Sequence, residues 1–473
     1  MSKMKKLLAI VLTLAMTIAM GMTSFAEDNT ATITVSGAEN ATKTMVQIIQ
    51  PNPKTKTGWE FTNGAGQYYQ QAFNQTDEQL ILAALIKKAA ADEGKTVDFT
   101  DDTLDAVEAA TAAQIDNALS KVAAHCTFKD FESTVSVAGV YAIKATETGF
   151  TYKTMAAYVG FGVAPSLNDA TINAKKAPTT ITKENADTDK AVAIGDHVKF
   201  TVKTSFPYVD VNAATKEFKI FDTLTGADFD LKDGVLKDAT VKVGDETVTL
   251  TADNFKVDGR TFTLDLSSYI NETNSNAGDE VVVEYTATVK EVDVKNEVYS
   301  TTNTNVVKDF VYTGKITFTK YAEDGRQILK GAGFNVLKDN KVLTFTQDVD
   351  PDTKEAIAGK YTYDPNGTIT EVFVNDQGVV EVKGLDKGTY HFAEKTAPEG
   401  YSINAEGKDV TLAFDGDKAT ANFSKTDSMK DTKLSSLPAT GGIGTTIFTI
   451  AGCVIMILAS EIVDAIDAPP TPV

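Results

Sequence analysis

Apolar and polar residues alternate with a period of two through most of the chain. Runs such as "HVKFTVKTSF", "EFKIFDTL", "TVKVGDETVTL", "RTFTLDL" and "EVVVEYTATVKEV" put their apolar side chains on one face, and turn residues separate the runs. Period two predicts half-buried strands, and short strands at this spacing predict antiparallel sandwiches. The same texture returns in "KITFTKY", "GAGFNVLK", "GVVEVKGL", "GTYHFAE" and "VTLAFD", over about 312–433. The N-terminal third differs. "ATITVSG" and "KTMVQIIQP" predict strands, but Thr76-Asp77-Glu78-Gln79 reads as a capping box ahead of the helical "LILAALIKKAAA". Asp101 opens a second helical pattern that runs to His125, and "GVYAIKA" and "AAYVGFGV" return to strands.

Both ends break the pattern. Lys3, Lys5 and Lys6 precede an apolar stretch from Leu7 to Met20, and Ser24-Phe25-Ala26 supplies small residues for cleavage. This predicts an export signal over 1–26 and a mature chain beginning at Glu27. At the other end Leu437-Pro438-Ala439-Thr440-Gly441 precedes an uncharged apolar run, 443–460, of membrane-spanning length. Pro438 holds that peptide extended and Gly441 permits close backbone approach, which suits an enzyme groove with the Thr440–Gly441 bond exposed.

Composition narrows the function. The chain has 473 residues, room for about three domains, and a formal net charge of −20. An acidic surface argues against nucleic acid, whose phosphates require a basic face. There are two cysteines, Cys126 and Cys453, and the second lies in the apolar run. An exported chain of this size then has no internal disulfide to stabilise it, and three scattered histidines argue against a metal site. No nucleophile motif such as G-x-S-x-G is present, so a secreted enzyme is not expected.

Strand parity exposes an anomaly. Lys320 shares a face with Ile316 and Phe318, and Glu394 with Tyr390 and Phe392. Lys183 shares one with Ile181, Asp222 with Phe218, Ile220 and Leu224, and Asn296 with Val292, Val294 and Val298. Each apolar face thus carries one lysine, carboxyl or amide inward. An isolated buried charge is costly and neutralises: a lysine becomes a free amine and a carboxyl keeps its proton. Beside a side-chain amide or carboxyl, such an amine can attack while the acid polarises the carbonyl, forming an amide between side chains without a cofactor. An ordinary buried ion pair is the plainer reading of any one of these residues.

The pieces "ITFTKYAEDGRQILKGAGFNVL" and "VKGLDKGTYHFAEKTAPEGY" resemble a Cna protein B-type domain. "TITKENADTDKAVAIGDHVKFTV", "FKIFDTL" and "VKNEVYS" resemble the isopeptide-forming second domain of Gram-positive fimbrial shaft subunits, and 437–441 resembles the LPxTG sorting signal. The resemblance implies a mainly β chain of tandem immunoglobulin-like and Cna B-type sandwiches in a rod. Its parts are an N-terminal pilin domain with helical insertions (27–174), an isopeptide-forming fimbrial domain (175–310), a Cna B-type domain (311–434) and a sorting signal with a membrane helix (435–473). It implies an isopeptide bond in each of two domains. Lys183 is the nucleophile, Asp222 the acid and Asn296 the acceptor in one, with Asn303 a rival acceptor. Lys320, Glu394 and Asp431 take those roles in the other, with Asn422 a rival. It further implies that a sortase cleaves after Thr440 and joins it to an amine of an identical subunit or of peptidoglycan. In the family that amine belongs to a lysine at the junction of the first two domains. Here the junction reads "ATINAKKAPTTITK" and offers Lys175, with Lys176 next to it. The implied role is the shaft of a cell-wall-anchored pilus, the membrane run being a transient anchor. A wall-anchored adhesin or accessory pilin outside the polymer is the alternative, and host surface ligands are left open. The tail departs from the family: it carries Glu461, Asp464 and Asp467 and no basic residue after the apolar run.

Overall fold

The computed structural model describes residues 30–434, except 164, 211, 213, 214, 272 and 415–422. The export signal, the rival acceptor Asn422 and the sorting signal with Leu437, Pro438, Ala439, Thr440, Gly441 and the apolar run lie outside the described residues. Among those described, no helix is long and apolar enough to cross a membrane. The chain forms two compact units that meet between Tyr312 and Thr313 in sequence. The junction expected near 174 falls inside the first of them.

In the first unit, Thr42–Pro51 and Gly139–Thr146 pair as the centre of a five-stranded sheet. Alternation along these strands builds two cores. Val46, Ile48, Val140 and Ala142 face the helices Glu78–Asp92 and Ala112–His125 through Ile81, Leu82, Leu85, Ile115 and Val122. Met45, Tyr141 and Ile143 face a three-stranded sheet through Ile33 and Ile172. The helices are thus a layer on one side of the sheet, covering what would otherwise be an exposed apolar face.

Helix starts differ from the sequence reading by short steps. Asp77, not Thr76, caps the first long helix by accepting from the Gln79 N–H at 2.8 Å. Gln79 turns its side chain to Thr57 and Trp59 instead of back to the cap. The pattern from Asp101 splits into Asp102–Asp105 and Ala112–His125. Thr111 and Gln114 form the real capping box there, restarting the helix after the short non-helical stretch 106–110. A helix over Gly66–Phe73 has no counterpart in the sequence reading.

The same unit holds a two-sheet sandwich. Thr182–Asn185, His197–Ser205 and Glu280–Val289 are consecutive neighbours in one sheet. Thr261–Asp265, Lys219–Thr225, Asp293–Ser300 and Asn303–Tyr312 are consecutive neighbours in the facing sheet. After Thr225 the chain switches sheets at Gly226, whose φ is +75° and where an added Cβ would lie 1.9 Å from the Asp293 carbonyl oxygen. The sandwich interior is apolar and aromatic, with Phe200, Phe218, Phe262 and Val283 fully buried.

The second unit is another sandwich. Its first strand, Gly314–Ala322, runs parallel to its last, Ser424–Asp431, and antiparallel to Val379–Leu385. The facing sheet centres on Gly333–Lys338 and Gly388–Thr396. Phe318, Phe334 and Phe392 pack between the sheets, with ring centroids 4.4 to 6.1 Å apart.

Candidate functional site

The sandwich of the first unit buries four polar groups at one point. Lys183 enters from an edge strand, beside Phe200 and Val202 of the next strand. Its amine contacts Asp222 Oδ2 and lies 2.5 Å from the Tyr285 hydroxyl, and the ion-paired side chains of Lys183 and Asp222 are fully enclosed. The Tyr285 hydroxyl also donates to Asp222 Oδ1 at 2.7 Å and accepts from Asn296 Nδ2 at 2.7 Å. Asn296 Oδ1 is buried without a hydrogen-bond partner among the described residues. Asn296 and Asp222 sit on neighbouring strands of one sheet, while Lys183 and Tyr285 come from the other. The cluster therefore bridges the sandwich.

Enclosure sets its charge state. Burial pushes the Lys183 amine below the usual lysine value, with the Asp222 carboxylate opposing. Burial pushes the Asp222 carboxyl up, with Lys183 and Tyr285 opposing, and drives the Tyr285 phenol well above its usual value. Both shifts move the proton from amine to carboxyl, so the neutral pair is the form that burial favours.

Asp222 and Asn296 are not in direct hydrogen-bond contact: each reaches the other through Tyr285. Sequence reasoning did not single out Tyr285. The signal was there, because Tyr285 shares the inward face of "EVVVEYTATV" with Val281, Val283 and Ala287 and carries the one hydroxyl on it. The rival Asn303 is elsewhere: its amide donates to the Thr179 carbonyl at 2.9 Å. Asn296 lies on Asp293–Ser300, the penultimate strand of the sandwich, whereas Asp431 lies on the last strand of its own.

The second unit repeats the theme with direct contacts. Lys320 Nζ lies 2.5 Å from Asp431 Oδ1 and 2.9 Å from Glu394 Oε1, all three side chains being enclosed. Lys320 and Asp431 belong to the paired first and last strands, and Glu394 reaches across from the facing sheet. Glu394 Oε2 accepts the Asn404 N–H at 2.7 Å, which aims the carboxyl. Burial raises the Glu394 carboxyl above its usual range. Asn404 and Lys320 oppose this, and Asp431 adds to it. Asp431 Oδ2 has no hydrogen-bond partner among the described residues. The Phe334 ring is 5.5 Å from the amine and helps keep the site dry.

At the lysine pair, the two candidates differ. Lys176 lies over the Phe150 ring at 4.2 Å and 3.6 Å from a Glu147 oxygen. Lys175 instead lines a half-open pocket of about 60 Å³ with Asp116, Lys153 and the apolar Ile115, Leu119 and Met155. Burial lowers its amine below the usual lysine value; Lys153 adds to this and Asp116 opposes it.

Comparison with known families adds two matches. Residues 314–427 match a prealbumin-like fold domain, and residues 430–460 match the LPXTG cell wall anchor motif. The chain is therefore a Gram-positive cell-wall-anchored protein. No curated protein matches it. Among solved structures, a three-domain backbone pilin of Streptococcus pyogenes is 18% identical, with 82% of this chain and 81% of that one covered and a TM-score of 0.51. The full-length major pilin SpaD of Corynebacterium diphtheriae is 16% identical, covering 88% of this chain and 99% of that one at a TM-score of 0.44. The full-length major pilin RrgB of Streptococcus pneumoniae is 13% identical, covering 66% and 87% at 0.39. At 18% identity the likeness to the Streptococcus pyogenes pilin is one of fold.

Proposed function

We propose that this wall-anchored chain is the shaft subunit of a covalently assembled pilus, with an internal isopeptide bond in each of two sandwiches. The carrying observation is the pair of enclosed lysine–acid–acceptor clusters, Lys183–Asp222–Asn296 and Lys320–Glu394–Asp431, on a fold shared with a backbone pilin. Two such clusters are an expensive feature for a core, since each buries charge that a well-packed apolar set would not. Converting each to a neutral amide removes that cost and leaves a covalent tie.

The chemistry needs no cofactor. The free Lys183 amine attacks the Asn296 amide carbon, and ammonia leaves. The Lys320 amine attacks the Asp431 carboxyl carbon, and water leaves. Asp222 and Glu394 supply and recover the proton. Enclosure helps twice: it lowers the proton affinity of the Lys183 amine, and in both sandwiches it replaces a bimolecular encounter by groups held in one cluster. The second bond would join first strand to last, so tension along the chain would cross a covalent link.

Chain growth is the inter-subunit counterpart. A sortase would cleave after Thr440 and transfer the threonyl carbonyl to a lysine of the next subunit, and finally to peptidoglycan. Lys175 suits that acceptor role because its pocket depresses the amine's proton affinity and Lys176 is engaged by Phe150 and Glu147. The test is immunoblotting of wall extracts from cells carrying Lys175→Arg, Lys176→Arg and the double change. Loss of the high-mass ladder with Lys175→Arg alone supports the reading. A ladder that survives the double change places the acceptor amine on another lysine, and a parent chain that shows no ladder is anchored singly, as an adhesin or accessory subunit would be.

A further inference from the structure

We infer that Tyr285 is a catalytic residue of the first isopeptide site, a phenol relay that carries the acid's proton to the departing amide nitrogen of Asn296. This rests on the bond chemistry proposed above and concerns a residue outside the lysine–acid–acceptor triad.

The argument is one of connectivity. In the second unit the lysine amine touches both the acid and the acceptor, at 2.9 and 2.5 Å. In the first unit, Asp222 touches the nucleophile, yet the hydrogen bond of the Asn296 carboxamide goes to Tyr285, 2.7 Å away. A proton leaving Asp222 must reach Asn296 Nδ2 for ammonia to depart, and the phenol oxygen is the atom that contacts both. It also lies 2.5 Å from the nucleophile. One oxygen thus meets donor, acceptor and attacking group, fully enclosed and held by aromatic contacts with Phe229 and Phe262.

The step balances. The neutral Lys183 amine attacks the Asn296 amide carbon, and a carbon–nitrogen bond forms. The attacking nitrogen gives one proton to Asp222 Oδ2, with which it is already in contact. Asp222 Oδ1 gives its proton to the Tyr285 oxygen, and the Tyr285 hydroxyl proton passes to Nδ2. The old carbon–nitrogen bond breaks and ammonia leaves. Asp222 and Tyr285 finish as they began, a neutral acid and a neutral phenol. Because the phenol swaps one proton for another, it never carries a full charge, which agrees with a site where burial opposes phenolate.

The experiment compares the full chain with its Tyr285→Phe variant, following both cross-linked peptides by digestion and mass spectrometry over time after refolding. The Lys320–Asp431 link in the same molecule is the internal control. The expected result is a Lys183–Asn296 link formed at least about a hundredfold more slowly in the variant, the scale of a lost general acid, with the control link unchanged. A Lys183–Asn296 link forming at the parental rate overturns the relay while leaving the bond itself intact. Absence of that link from the parent chain overturns the underlying reading as well. If the variant's first sandwich proves protease-sensitive, the full chain is made with 3-fluorotyrosine, which keeps the hydroxyl and the packing but makes the phenol more acidic. A several-fold change in the Lys183–Asn296 rate alone then supports the relay, and no change overturns it.

Discussion

Lys320 and Asp431 lie on adjacent parallel strands with amine and carboxylate oxygen 2.5 Å apart, although 111 residues separate them in sequence. First and last strands of a sandwich are the ones that peel away when it is pulled or unfolded. A covalent bond at this position closes a loop spanning nearly the whole unit. In the unfolded chain such a closure removes conformational entropy as a long-loop disulfide does.

Asp431→Ala is therefore expected to lower the stability of the second unit by about 4–5 kcal/mol, the scale of a cross-link closing a loop of this length. Glu394→Gln, which keeps the shape but cannot cycle a proton, is expected to leave Lys320 and Asp431 unlinked and to show a similar loss. Urea unfolding of both variants beside the parent measures this. Equal midpoints for parent and Asp431→Ala would mean that no bond is present to lose.

The two candidate acceptor asparagines of the first sandwich are separable. Asn296→Ala is expected to abolish the Lys183 cross-link and to leave its amine free, whereas Asn303→Ala is expected to leave the cross-link intact, because its amide is spent on the Thr179 carbonyl. Peptide mapping of the two variants distinguishes them, and the opposite pattern would move the acceptor to Asn303.

Lys175 offers a pH-dependent signature. Its amine is held below the usual lysine value by burial and by Lys153, against Asp116. A lowered pKa means a larger free-amine fraction at a given pH. Acylation of Lys175 by an amine-reactive ester is thus expected to reach half its plateau at a lower pH than the average of the other lysines in the chain. Competitive labelling across pH 7 to 10 with peptide mapping measures this, and a curve superimposed on that average would remove the pocket's influence.

Strand parity made much of the site legible. Placing Lys320 two residues from Phe318, or Asp222 two from Ile220, requires only that side chains alternate, and an inward charge then declares itself as an anomaly. The strands were readable for the same reason, since both sandwiches alternate cleanly. What parity could not give was the third dimension. It shows which face a residue occupies but not what faces it across the sandwich, so it does not distinguish Tyr285 from the core residues Val281, Val283 and Ala287 on the same face. Helix boundaries slipped for a local reason: Thr76 and Asp77 both suit a cap, and the choice depended on Gln79 finding Thr57 and Trp59, contacts about 20 residues away in sequence.

The intact mass of the chain spanning 27–436 tests the central claim most directly. The expected value is the sequence mass less one ammonia and one water, one loss for Lys183–Asn296 and one for Lys320–Asp431. A mass equal to the full sequence would contradict the account, leaving both clusters as buried ion pairs and the exported fold without its covalent ties.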